Sequence, residues 1–316
     1  MRIVSLLASA TEMIAALGCL DQMVGRSHEC DFPPTVQRLP LVSTVQIDVQ
    51  TSSAEIDAQI KGLAAKISTQ APALNALSIY KIDTTLLQAL QPDVIFTQTQ
   101  CEVCAVSERD VSRALEQLTG LQPRIISLAP YRLSDVWEDM RRVGRALDRL
   151  EQAETLLQQY EQRLMYIRNR TGELVKRSGK PRVVVLEWLD PLMAAGNWTP
   201  ELVAYAGGES VCAEVGIHSP WLTWEELRVA DPDVLVLSPC GFSLARTMEE
   251  LPLLQRNPSW QALRTVQQGR VYAIDGNYYL NRSGPRLVDS AELLGHVLWG
   301  KQAGLRVDGQ GWRHVL

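Results

Sequence analysis

Short apolar runs rich in Val and Ile recur along the chain at 2–7, 93–97, 124–128, 182–187, 233–238 and 271–274. Each has the length of a buried strand, and the segments between them carry helical periodicity, which together predict parallel α/β sheets. The stretch Leu87-Gln88-Ala89-Leu90-Gln91-Pro92-Asp93-Val94-Ile95 is echoed by Leu227-Arg228-Val229-Ala230-Asp231-Pro232-Asp233-Val234-Leu235. In both, a helix should stop before Pro and a strand should begin at Asp-Val. A second echo pairs Arg2-Ile3-Val4 with Arg182-Val183-Val184. Repetition of this kind predicts two similar lobes.

From about Leu133 to Val175 Gly and Pro nearly vanish, while Val136, Met140, Val143, Leu147, Leu150, Leu157, Leu164 and Ile167 recur at helical spacing. This predicts two helical segments meeting near Asp148–Glu151, the second charged enough to bridge the lobes. Lys176 to Pro181 should end it. The expected fold class is therefore α/β, with two Rossmann-like lobes built on parallel sheets and joined by one long α-helix. Its divisions are an N-terminal lobe at 1–150, a bridging helix at 151–178 and a C-terminal lobe at 179–316.

Composition narrows the function. The 316 residues are 46% hydrophobic and 21% charged, with 31 Lys+Arg against 36 Asp+Glu and a net charge of −5. That balance disfavours general nucleic-acid binding, and no apolar run is long enough for a bilayer span, so no membrane insertion is expected. The start, Ile3 to Ala10, superficially resembles a secretory signal core, and Ala16-Leu17-Gly18-Cys19 a lipoprotein site. Only Arg2 supplies positive charge, however, and Glu12 interrupts the apolar stretch. The segment fits a first strand and a helix capped near Ser9 or Thr11 better, which predicts a cytoplasmic protein with its six cysteines reduced. Dinucleotide, P-loop, HExxH and GxSxG motifs are absent.

Candidate chemistry collects in the loops after the strands, where α/β sheets bind ligands. Trp188, Trp198, Trp221 and Trp224 fall within one short region. They suit a wide, flat, amphipathic ligand, or they cover small cores beneath long loops; residue type alone leaves both open. His28-Glu29-Cys30-Asp31 and Cys101-x-x-Cys104 are the candidate metal-ligand groups, with ordinary loop thiols favoured over zinc. Glu187 and Asp190 form a weak acid/base candidate that suits orienting a ligand or capping a loop better. Ser107-x-x-Asp110 and Thr223-x-x-Glu226 match capping boxes, and Thr199-Pro200-Glu201 reads as an N-cap followed by Pro. Glu108 and Glu225 then stand in the first turns of two helices, one per lobe.

Arg2 to Glu12, Val24-Gly25 with His28 to Pro34, the Pro92 to Ile95 unit, and Asn277 to Arg286 together resemble the class III substrate-binding proteins of ABC importers, and most of all their cobalamin-binding branch. The resemblance spans nearly the whole chain. It implies a non-enzymatic protein that holds a corrinoid between two lobes, needs no cofactor of its own, and docks on a permease through Glu108 and Glu225. Trp188, Trp198, Trp221 and Tyr279 would supply apolar and stacking area. Thr11, His28, Asn197 and Arg282 would meet polar substituents, with His28 a possible axial ligand to cobalt, and Cys101 would line the cleft. Two departures stand out: importer members carry an export signal, and Gln100-Cys101-Glu102-Val103-Cys104 lies outside the usual pattern, like a signal-less subgroup. The alternatives are an iron-siderophore carrier, with Arg282 and Arg286 pairing anionic groups, and a cytoplasmic metallo- or redox enzyme using Cys101, Cys104 and His28 or Cys30.

Overall fold

The computed structural model describes all residues except 70–78, 101–105, 107, 117–119 and 308. It divides into two compact units, one of Met1–Pro130 with Trp137–Thr155, the other of Tyr131–Val136 with Leu156–Leu316.

The first unit carries β1 (Ile3–Ser5), α1 (Ala8–Ala16), β2 (Met23–Arg26), β3 (Ser43–Val45), α2 (Ser53–Thr69) and β4 (Tyr80–Ile82), then α3 (Thr84–Leu90), β5 (Val94–Gln98), α4 (Glu108–Glu116) and β6 (Arg124–Leu128). Its sheet has the order β2-β1-β5-β6 and is parallel throughout, while β3 and β4 form a small antiparallel ribbon. Because helices cover a parallel sheet on both faces, β1 and β5 are apolar without alternation, and Ile3, Val4, Ile95 and Phe96 have no exposed surface. Gly25 on β2 is required by close approach, since a Cβ there would lie 2.7 Å from Val42 and 2.8 Å from Leu90.

Helix α1 departs from expectation. Its N-cap is Leu7, without a side-chain cap, and Ser9 and Thr11 lie inside the helix. The Thr11 hydroxyl donates to Ser5 Oγ on strand β1 at 2.8 Å and, at a longer 3.4 Å, to the carbonyl of Leu7, so it caps no helix N–H.

The chain continues through α5 (Leu133–Ala146) and α6 (Leu150–Ser178). They break where the periodicity indicated: Asp148 has φ of +56°, a conformation that ends a helix. Arg141 on α5 holds Glu154 on α6 at 2.8 Å. Further along α6, Arg163 pairs with Asp289 at 2.7 Å and Glu292 at 2.8 Å.

The second unit adds β7 (Arg182–Leu189), β8 (Leu192–Ala194), α7 (Thr199–Tyr205), β9 (Glu209–Ser210), α8 (Trp224–Ala230), β10 (Val234–Leu237) and α9 (Leu244–Gln255). After these come α10 (Pro258–Gln261), α11 (Arg264–Gln267), β11 (Val271–Ile274), α12 (Leu287–Trp299) and β12 (Trp312–His314). The sheet runs β12-β11-β10-β7-β8, with β9 also on β7. Strands β9, β7, β10 and β11 are parallel as expected, but β8 and β12 are antiparallel edges. A connection as short as Asp190-Pro191 permits only an antiparallel return. Val184, Leu186, Leu235, Leu237 and Trp260 build this unit's core.

The two sequence echoes prove to be a single device, repeated in each unit. The Arg2 amide donates to Asp93 Oδ2 at 2.6 Å, and the Arg2 Nε to the Leu90 carbonyl at 2.7 Å. The Arg182 amide likewise donates to Asp233 Oδ2 at 2.8 Å, and its guanidinium to the Ala230 carbonyl at 2.8 Å. An aspartate after Pro thus aligns two neighbouring strands, while an arginine caps the helix that ends beside them. The residue before each Pro, Gln91 or Asp231, is left-handed rather than extended.

Candidate functional site

In the first unit, the turns after β1 and β2 bring together a buried group of small polar side chains. Thr11 Oγ1 lies 3.0 Å from Cys30 Sγ, Ser27 Oγ lies 3.2 Å from the same sulfur, and Thr11 bonds Ser5. Thr11, Ser5 and Cys30 have no exposed surface, so Thr11 is a packing residue here and not one that meets a ligand directly. His28 sits beside this group, with Nδ1 3.1 Å from Ser43 Oγ and its ring 5.1 Å from that of Tyr80. Its Nε2 is buried, 3.4 Å from Glu29 Oε1. In this conformation Nδ1 faces Ser43 and Nε2 faces Glu29. Among the described residues no three His, Cys, Asp or Glu side chains form a metal site. Cys101, Cys104 and the Ser107 end of the proposed capping box lie outside the described residues.

The second unit shows how four nearby tryptophans divide their work. Met193 on β8 pairs with Trp188 on β7 on one side and with Trp221 on the other. Cross-strand partners project to the same face, so these three form a stripe across the sheet edge. Trp221 is 53% exposed. Trp188 is half-buried, meeting Phe242 edge-on at 5.4 Å, and the Arg246 guanidinium stands 5.1 Å from the Phe242 ring. Trp198 is different, being only 7% exposed, with its indole N–H donating to the Leu280 carbonyl at 2.8 Å. It is the N-cap position of α7, and Thr199 and Pro200 fall inside the helix. The expected Thr199 cap is thereby corrected, because Trp198 already has helical dihedrals. Trp224 opens α8 and packs against the core. Position in sequence groups the four rings; strand pairing and helix entry separate them.

The loops after β10 and β11 are laced together. Asp275 accepts from the Leu244 amide at 3.0 Å, the Asn277 amide at 3.0 Å and the Tyr278 amide at 2.9 Å. Burial pushes its carboxyl pKa up, against the lowering by these donors. Asn281 donates to the Ser238 carbonyl at 2.8 Å, and a Cβ on Gly276 would lie 2.0 Å from the Pro239 carbonyl oxygen. Arg282, 7% exposed, donates to Asn277 Oδ1 at 2.8 Å. The Tyr278 ring is flanked by the Arg286 guanidinium at 4.3 Å and that of Arg282 at 5.9 Å. Sequence reading singled out Tyr279, yet that ring packs over the Gly311 backbone. Tyr278, Arg246 and Phe242 join the candidate residues only through these contacts; adjacent Tyr and scattered Arg give no periodic signal by which to choose them from sequence. Asn197, with φ of +51°, donates its amide to the Ile217 carbonyl at 2.7 Å, and its buried Oδ1 has no hydrogen-bond partner.

The two acidic positions also differ. Glu225 is exposed on the first turn of α8, behind the Thr223–Glu226 capping box, which forms as expected, and pairs with Arg228 at 2.6 Å. That partner lowers the Glu225 pKa. Glu108 is half-buried and accepts from Ser127 Oγ on β6. Glu187 lies within β7 and Asp190 starts the turn to β8, and the Glu187 carbonyl accepts from the Cys240 amide at 2.9 Å.

Each sheet, then, offers loops at the carboxyl ends of parallel strands, the usual ligand position in doubly wound α/β units. A profile of the periplasmic binding protein family matches residues 3–278, and the chain belongs to that family. It is accordingly a substrate-binding protein and not an enzyme, and its ligand is cargo rather than a cofactor. A vitamin B12-binding protein of Pectobacterium atrosepticum is 22% identical over 296 residues, covering 93% of this chain and 86% of the relative. One from Vibrio cholerae is 23% identical over 298 residues, covering 92% and 86%. The fold is also that of a periplasmic heme binding protein from Pseudomonas aeruginosa, with TM-score 0.69, 20% identity and coverage of 94% and 92%. A periplasmic vitamin B12 binding protein of Vibrio cholerae gives TM-score 0.63, 22% identity and coverage of 96% and 98%.

Proposed function

We propose that the chain binds a corrinoid of the cobalamin class. The observation that carries this reading is the Trp188–Met193–Trp221 stripe on the sheet edge, to which the second unit adds the Arg-flanked Tyr278 in the loop after β11. A corrin ring presents a wide apolar face with a polar amide rim, which such rings and guanidinium groups complement. The relatives named as vitamin B12-binding proteins align over more than nine-tenths of the chain and support the same choice. The test is tryptophan fluorescence during titration with cyanocobalamin and cobinamide, corrected for ligand absorption. Saturable quenching is expected, and unchanged emission with both compounds overturns the assignment.

A second reading is an anionic metal chelate, a siderophore or heme. It is favoured by one feature, the placement of Arg282 and Arg286 about Tyr278, which could meet carboxylates. Haemin quenching with no response to either corrinoid would select it.

Permease docking falls to Glu225, exposed on α8, more than to Glu108, whose carboxylate is turned to Ser127. Glu225→Lys should abolish association of the ligand-loaded chain with a membrane fraction; wild-type association in that variant removes Glu225 from the proposal.

A further inference from the structure

The amino ends of the strands in the second unit surround a cavity distinct from the loops described above. Lys180 and Pro181 precede β7, Asp233 precedes β10 and Arg270 precedes β11, whereas the candidate ligand loops follow the carboxyl ends. With the last turn of α12 and strand β12 these residues line about 730 Å³. That is the size of a small-molecule site.

One wall of the cavity is aromatic. The antiparallel register sets Tyr272 opposite His314 and Ile274 opposite Trp312, so Trp312 and His314, two residues apart, share the face of Tyr272. Ring centroids of Tyr272 and His314 are 4.8 Å apart, those of Tyr272 and Trp312 6.3 Å, and His296 on α12 meets Trp312 edge-on at 5.1 Å.

The polar part of the lining has an excess of donors. Among the described residues, Trp312 Nε1 and Arg270 Nε are both buried without a hydrogen-bond partner. The Asp233 carboxylate is already taken, by Arg264 at 2.9 Å and by the Arg182 amide at 2.8 Å. Exposed Lys180 lines the same cavity and adds a second positive charge to that of Arg270. The carboxyl ends of α6 and α12 bring only partial negative charge, roughly half a unit each, which two full cations exceed. A buried donor left without an acceptor is costly, so acceptors supplied from outside the chain would be bound favourably.

We propose that this cavity is a second binding site, for a planar anion consisting of an aromatic ring bearing a carboxylate or a phosphate. The ring lies against Tyr272 and Trp312, and the anionic oxygens accept from Arg270 Nε and Trp312 Nε1. A bare inorganic anion would leave the aromatic wall unused, and a neutral aromatic would leave both donors unpaired.

The experiment follows the eight indole N–H signals of the nitrogen-15-labelled chain by NMR, with the Trp312 signal assigned through Trp312→Phe. Benzoate tests the carboxylate source, and adenosine 5′-monophosphate the phosphate source. A saturable shift of the Trp312 signal with either probe is expected, weakened about tenfold in affinity by Arg270→Gln, while cyanocobalamin titrations stay as in the parent chain. If Arg270→Gln fails to fold, exposed Lys180→Gln serves instead and should weaken binding several-fold. A Trp312 signal that moves with neither probe leaves only water in the cavity and overturns the proposal. So does a shift whose affinity is unaltered in the folded charge variant.

Discussion

Replacing Trp198 with Phe keeps an aromatic ring at the start of α7 but deletes the N–H that donates to the Leu280 carbonyl at 2.8 Å. Both residues are buried, Leu280 at 1% exposure, and no other donor reaches that carbonyl among the described residues. The orphaned acceptor should cost about 1–3 kcal/mol. The smaller ring leaves unfilled volume that adds roughly another 1 kcal/mol. At roughly 2–4 °C per kcal/mol for a unit of this size, Tm should fall by about 5–15 °C. Thermal melts followed by circular dichroism measure this, and the same preparations are titrated with cyanocobalamin. Affinity at a temperature where the variant is folded should stay within about threefold of the parent. Trp221→Ala should show the opposite pattern, with stability within about 0.5 kcal/mol and binding weaker by about 1–3 kcal/mol, because that ring is 53% exposed. A Trp198→Phe chain that melts normally yet binds poorly would refute the division of labour among the tryptophans.

Gly276→Ala should destabilise the loop after β11 by about 2 kcal/mol or more, since its Cβ would lie 2.0 Å from the Pro239 backbone oxygen; an unchanged melt would show that the loop yields freely. Thr223→Ala removes the side-chain half of the α8 capping box, leaving the residue-223 amide on Glu226, and should cost about 1 kcal/mol, read from denaturant midpoints at constant slope. Burial lowers the His296 pKa below its ordinary value of 6.5, so the native chain holds fewer protons than the unfolded chain in the window just below that value. Stability should therefore drop as pH falls through 6.5 towards the lowered pKa. His296→Gln should flatten that part of the Tm profile, and a profile identical to the parent's would remove His296 as the cause.

The parts of the fold legible in the sequence were those where one physical signal dominates. Runs such as Val183 to Leu186 and Val234 to Leu237 are apolar on both faces and lie in central parallel strands, where no other element competes for them. The paired Arg2–Asp93 and Arg182–Asp233 devices left an echo because the same strand-to-strand bond needs the same residues twice. Edge strands β8 and β12 have three residues each, too few for periodicity, and their direction follows from tertiary closure. The candidate site was legible by region and not by side chain. Trp198 and Trp221 look alike in sequence, but a helix entry buries one while strand pairing exposes the other. His28 stands among Glu29, Cys30 and Asp31 as a ligand would, yet Ser43 and Tyr80, brought in by the β3–β4 ribbon, enclose its ring.

The corrinoid assignment is tested most directly by isothermal titration of the purified chain with cyanocobalamin, and with haemin in parallel, accompanied by gel filtration monitored at the visible absorbance of the corrinoid. The expected result is one cyanocobalamin bound per chain, co-eluting with the protein and outcompeting haemin. Stoichiometric haemin binding, with cyanocobalamin eluting entirely free of the protein, would contradict it.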